Sequence, residues 1–116
     1  MRAILCAILF GIAPMEANAQ AVGLGARTCA QFAKEYLEAH DVAEPLYFTY
    51  TQGYMTALTM LFEVLKKPTV NLIAWPSEQQ KAHIRKFCSE HPDAAFVFAA
   101  QNLFEALQKV SRKNSN

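Results

Sequence analysis

From Leu46 to Leu65 the polar residues Thr49, Gln52, Thr56, Thr59 and Glu63 recur at alternating steps of three and four, which on a helix gathers them into one narrow stripe. The rest of that circumference is apolar. Leu46, Tyr50, Tyr54, Ala57, Leu58, Leu61, Phe62 and Leu65 span an arc wider than an ordinary amphipathic face, which predicts a central helix contacted from several sides. Gly53 lies inside it, where glycine costs about 1 kcal/mol against alanine, and so points to a neighbouring helix that approaches closely. Four threonines, a glutamine and a glutamate make the stretch too polar for a lipid-facing span.

Shorter helical patterns flank this one. Thr28-Cys29-Ala30-Gln31 fits a capping box, and Cys29, Phe32, Ala33, Tyr36 and Leu37 continue from it with helical spacing. His40 extends that face as a buried polar contact, a partner for the helix dipole or a proton sensor. Asp41–Pro45 reads as the turn into the central helix, and Lys66-Lys67-Pro68 as its end. Thr69–Pro76 has no clear period, yet Val70, Leu72, Ile73 and Trp75 make it apolar. It either lies over the core, forms a short strand or stays exposed as a contact surface. Ser77 with Gln80 forms a second capping box before a helix carrying Ile84, Phe87 and Cys88 on its apolar face. His91-Pro92-Asp93 then breaks the chain and opens the last helix, with Pro92 in its first turn and Asp93 facing its positive end. There Phe96, Ala100, Leu103, Phe104, Leu107 and Val110 share one face. Phe98 points the other way, which leaves it exposed, buried under the Val70–Trp75 segment, or in a partner contact. The expected fold is all-α: a small four-helix domain over residues 28–110, with a mobile leader at 20–27 and a polar tail at 111–116.

The N-terminus changes the compartment. Met1-Arg2 supplies a positive charge, Ala3–Ala13 an apolar run too short to span a bilayer, and Ala17-Asn18-Ala19 a small-x-small cleavage pattern, so residues 1–19 read as a signal peptide that carries Cys6 away. The mature chain of 97 residues from Gln20 would be periplasmic, with no membrane association after signal removal. Its remaining cysteines, Cys29 and Cys88, are then expected to pair in an oxidising compartment, clamping the first and third helices against the central one. A metal site on His83, Cys88 and His91 is disfavoured by spacings that match no usual zinc pattern. Ten basic and nine acidic residues give the mature chain a net charge of +1, which implies no nucleic-acid partner. Glycine-rich phosphate loops, paired carboxylates in an apolar setting, HExxH and free reactive cysteines are all missing, so neither an enzyme nor a cofactor is expected.

Several of these marks occur together in one known pattern. A signal peptide, Thr28-Cys29-Ala30-Gln31-Phe32 opening a helix, Tyr50-Thr51-Gln52-Gly53-Tyr54, and Phe87-Cys88-Ser89-Glu90-His91-Pro92 before an alanine-rich helix resemble the HdeA/HdeB-type periplasmic acid-stress chaperones over most of residues 28–107. The resemblance implies a small helical protein with one disulfide that pairs as a homodimer at neutral pH, loosens in acid and holds unfolding client proteins on apolar surface. On that reading Leu72, Ile73, Trp75 and Phe98, the apolar residues least explained by the helical periods, form the client- or partner-binding surface. A second resemblance is to periplasmic immunity proteins that neutralise secreted cell-wall amidases. These share the Gly-Tyr helix and the His-Pro turn, and would bind one folded protein partner at neutral pH. The exported protein is expected to begin at Gln20, and intact-mass measurement of periplasmic material checks this; a chain still carrying Cys6 would remove the export argument.

Overall fold

The computed structural model describes residues 20–116; the expected signal peptide, residues 1–19, lies outside the described residues. The fold is all-helical. Among the described residues one 3-10 turn (Gly23–Ala26) precedes three helices, α1 (Cys29–Val64), α2 (Ser77–Glu90) and α3 (Phe96–Asn114). Four helices were expected, but the first and central ones run together as α1. Ala39, at φ −157° and ψ 66°, is the non-helical residue that bends it into two limbs, and the expected turn at Asp41–Pro45 is helical. Pro45 offers no N–H to the Asp41 carbonyl and crowds it. The bend falls just upstream of that defect.

The start of α1 is locked into the turn between α2 and α3. Cys29 and Cys88 form the expected disulfide, with Cα atoms 4.7 Å apart. Thr28 and Gln31 complete the capping box. Two further N–H groups of the helix end, on Cys29 and Ala30, donate to the carbonyls of Ala94 and Pro92 at 2.8 and 2.9 Å. Phe96 N–H returns a bond to the Arg27 carbonyl. Pro92 and Ala94 therefore serve this joint; the last helix starts at Phe96 rather than at the His91-Pro92-Asp93 break, because the Pro92 and Ala94 carbonyls are turned toward α1.

Above the joint sits an aromatic cluster. The rings of Phe32, Tyr47 and Phe96 pack with centroids 4.6 to 5.2 Å apart, bringing both limbs of α1 onto the first turn of α3. Leu103, Phe104 and Leu107 extend the core along α3 as the periodicity predicts, and Ile84 joins it from α2. On α1 the outcome differs from expectation. Over Leu46–Leu65, Tyr47, Phe48, Thr51 and Met55 are the buried residues, while Leu46, Ala57, Leu61 and Leu65 of the broad apolar arc are exposed. Among the described residues α2, α3 and the 3-10 turn pack against α1 and cover it on one side. Among the described residues no neighbour approaches Gly53 closely, since a Cβ there would meet nothing within 4 Å. Gly25 does the opposite: any side chain there would overlap the Tyr50 phenol.

The end of α1 reverses through Lys66, which takes a left-handed conformation at φ 57°. Lys66 N–H donates to Glu63 and Lys67 N–H to Phe62, closing the two orphan carbonyls of a Schellman turn. Thr69–Pro76 follows without forming a strand. Val70 is buried, and Leu72 and Trp75 pack against the core. The expected Ser77–Gln80 capping box is absent, because Gln80 is buried and spends its side-chain amide on the Leu72 and Trp75 carbonyls, each at 2.8 Å. Among the described residues no helix is long and apolar enough to cross a membrane. Replacing both bridged cysteines by serine reopens a loop of about 60 residues, and chemical denaturation should show a loss of about 4 kcal/mol; unchanged stability would show that the backbone bonds at the joint suffice without the bridge.

Candidate functional site

Three of the four residues expected to form the binding surface do lie together. Leu72, Ile73 and Trp75 line an open groove of about 390 Å³ whose opposite wall is Gln52, Met55 and Thr56 of α1. Ile73 is 88% exposed and is the outermost apolar group there. Leu72 and Trp75 are half-buried; the Trp75 ring lies 5.5 Å from that of His83, which in turn contacts Asn102 at 2.7 Å. Phe98 is not among the groove residues. It is 53% exposed on α3, one turn before Asn102 on the same side of that helix. The structure thus divides the expected surface into a groove and a separate aromatic side chain.

The groove has little means of specifying a polar ligand. Its polar atoms come from Gln52, Thr56, Ser77 and Gln80, and the Gln80 amide is already committed to backbone carbonyls. No buried side-chain nitrogen or oxygen among the described residues is left without a partner. The other histidines are also placed by local contacts: His91 stacks on Phe87 at 4.4 Å and meets its carbonyl, and His40 is exposed beside Asp41 at 2.9 Å. Among the described residues no three His, Cys, Asp or Glu side chains gather as a metal site would require.

Charge is concentrated where α1 bends. On the near side of Ala39, Glu35 pairs with Arg27 and also accepts a hydrogen bond from the buried Tyr47 hydroxyl at 3.0 Å, so one carboxylate joins the leader, the first limb and the second limb. Beyond the bend, Glu44 pairs with Arg85 of α2. These are the two ion pairs among the described residues that join one element to another; the remainder lie within a helix. Sequence periodicity did not single out either glutamate. Neither acid carries a local pattern that identifies its cationic partner.

Burial, reinforced by the neighbouring Glu35 carboxylate, pushes the Tyr47 phenol up to about 12 from 10.0. Burial likewise raises Tyr50 and Tyr54, the latter with help from Tyr50 and Glu105. Because the folded state holds the Tyr47 proton more tightly, this contribution is complete below pH 10.0 and is lost as pH rises toward about 12. Across that window the wild type should lose about 2 kcal/mol more stability than Tyr47→Phe, measured by denaturation at stepped pH. Parallel losses in both proteins would show that the Tyr47 proton is not linked to folding.

Compared with known proteins, the chain matches no family model, no curated protein and no solved structure, so the resemblance to HdeA/HdeB-type chaperones rests on the motifs quoted above.

Proposed function

We propose that this chain is a periplasmic, non-enzymatic chaperone that holds unfolding proteins in acid. The observation that carries this reading is that both ion pairs joining separate elements end on carboxylates, Glu35 and Glu44, one on each side of the α1 bend. Protonating these groups removes both ties while leaving their arginines charged. Below about pH 3 the mature chain also moves from a net charge of +1 to about +13, so self-repulsion adds to the loss. The Cys29–Cys88 bridge is covalent and does not respond to protons, so opening is confined to what lies beyond the joint. The surface offered to clients starts from groups already outside the core, Ile73 at the groove and Phe98 on α3, and grows as Leu72 and Trp75 separate from it.

Light scattering from an acid-denatured client at about pH 2 to 3 tests the proposal. Wild type should suppress aggregation there and not at neutral pH. Ile73→Ser combined with Phe98→Ser should lose most of that suppression, since neither side chain is buried and the fold should survive the change. Glu35→Gln, which removes the ion pair but keeps a hydrogen-bond acceptor for Tyr47, should shift the onset of holding toward neutral pH. Absence of suppression by wild type would overturn the chaperone reading. Tight binding of one folded amidase at neutral pH, with no acid-dependent holding, would replace it with the immunity-protein reading.

A further inference from the structure

The last turns of α1 carry an apolar stripe on the side away from the core. Ala57, Met60, Leu61, Val64 and Leu65 recur at i, i+3, i+4, i+7 and i+8, the spacing of an amphipathic helix that buries one face. Yet all five are exposed, Met60 by 63%, Leu61 by 48%, Val64 by 76% and Leu65 by 53%. The stripe runs directly into Lys66 and Lys67, and the fold brings a second basic segment to the same end. Pro68 and Thr69 share an open pocket with Ser111 and Arg112 of α3, and the Asn71 N–H donates to the Ser111 hydroxyl at 2.8 Å. The Phe62 ring, which lies 5.2 Å under the Lys67 ammonium, packs on Phe104 of α3 at 5.3 Å. Lys109, Arg112 and Lys113 on the last turns of α3 therefore join Lys66 and Lys67 at one end of the molecule. All five cations are exposed, and among the described residues none of them is in an ion pair. The acids nearest to them are Glu63, which a helical projection puts across α1 from Leu61, and Glu105, two turns before Arg112.

We infer that this end of the molecule rests on an anionic lipid surface, with the stripe in the headgroup layer and the cations around it among the lipid phosphates. Such a surface offers negative charge at its outer edge and hydrocarbon about 5 to 10 Å beneath, which is the order in which this end presents its lysines and its leucines. The contact is peripheral, because among the described residues no helix is long and apolar enough to cross a bilayer. It departs from the expectation that the mature chain keeps off membranes, and the reason is where the charges fall. A net charge of +1 conceals a basic tip, since the two basic segments are far apart in the sequence and the acids that offset them, Glu35, Glu38, Asp41 and Glu44, lie around the α1 bend. From Glu44 to Leu65 is about 30 Å along a helix, several times the distance over which exposed charges act at physiological salt. A nucleic acid would answer the cations but leave the apolar stripe in water, so the two features together favour lipid. This contact requires neither acid nor a client and stands apart from the holding activity proposed above.

Co-sedimentation of the disulfide-bonded chain from Gln20 with lipid vesicles at neutral pH tests this. Wild type should partition onto vesicles of mixed phosphatidylglycerol and phosphatidylcholine and not onto phosphatidylcholine alone, and salt at about 0.5 M should weaken the binding because the cations are exposed. Lys66→Asn with Lys67→Gln, and separately Arg112→Gln with Lys113→Gln, should each lower the partition coefficient by about 30-fold, taking about fivefold for each basic residue at an anionic surface. Asparagine is chosen at position 66 because it tolerates the left-handed backbone there. Leu61→Ser with Val64→Ser should remove the part of the binding that survives high salt while preserving helical circular dichroism, since both side chains are exposed. Absence of partition by wild type, equal partition onto phosphatidylcholine alone, or partition that neither basic pair reduces would overturn the inference. Binding that the serine pair leaves unchanged and that a soluble oligonucleotide matches would replace the lipid surface by a polyanion. Vesicle binding is read without any client, so its failure and that of acid holding are separate results.

Discussion

The rest of the molecule is built on the joint where α1 begins. A disulfide, a capping box and three backbone hydrogen bonds converge within a few residues of Cys29, tying the helix start to the chain between α2 and α3. Helix starts normally expose amides that need partners from outside the helix. Here some of those partners are the carbonyls of the very turn that sets where α3 departs. Satisfying the amides and orienting the third helix are consequently one event, and the Phe32–Tyr47–Phe96 cluster assembles directly above it.

Moving away from the joint, covalent and backbone constraints give way to side-chain ones. The bend at Ala39 interrupts the hydrogen-bond ladder of α1, and Glu35 and Glu44 hold the two limbs through charge. The molecule thus has a covalently locked end and a middle held by side-chain contacts. That gradient is a property of where the cysteines and glutamates fall, and it exists whatever the protein binds. It also places the buried Tyr47 hydroxyl between the two regimes, packed in the aromatic cluster and donating to the Glu35 carboxylate.

Much of this was legible from residue spacing, and the failures have identifiable causes. The Thr28 cap, the apolar face of α3 and the cysteine pairing follow from local periodicity and from counting cysteines, and the structure contains all three. Asp41–Pro45 is helical rather than a turn because α1 bends earlier, at Ala39, and Pro45 falls inside the resumed helix. The Ser77–Gln80 box failed because a competing interaction, two loop carbonyls in need of a donor, lies outside any local window. The broad apolar arc on α1 predicts contact from several sides, whereas the described residues cover only part of it: periodicity identifies an apolar face without saying what buries it. For the groove, aperiodicity pointed to Leu72, Ile73 and Trp75, while the α1 wall opposite them had no sequence signal beyond ordinary helical polarity.

The segment before α2 is moored at two places on two different helices. Asn71 N–H donates to Ser111 on α3, and the Leu72 and Trp75 carbonyls are held by Gln80 on α2. Between these moorings the Asn71 side chain accepts the Ile73 N–H and closes a tight turn, so Ile73 is carried outward by polar bonds on either side of it. An isoleucine in that position cannot retreat into the core by a simple change of rotamer. It behaves as a fixed apolar prong, and any relative motion of α2 and α3 is transmitted to it through the backbone.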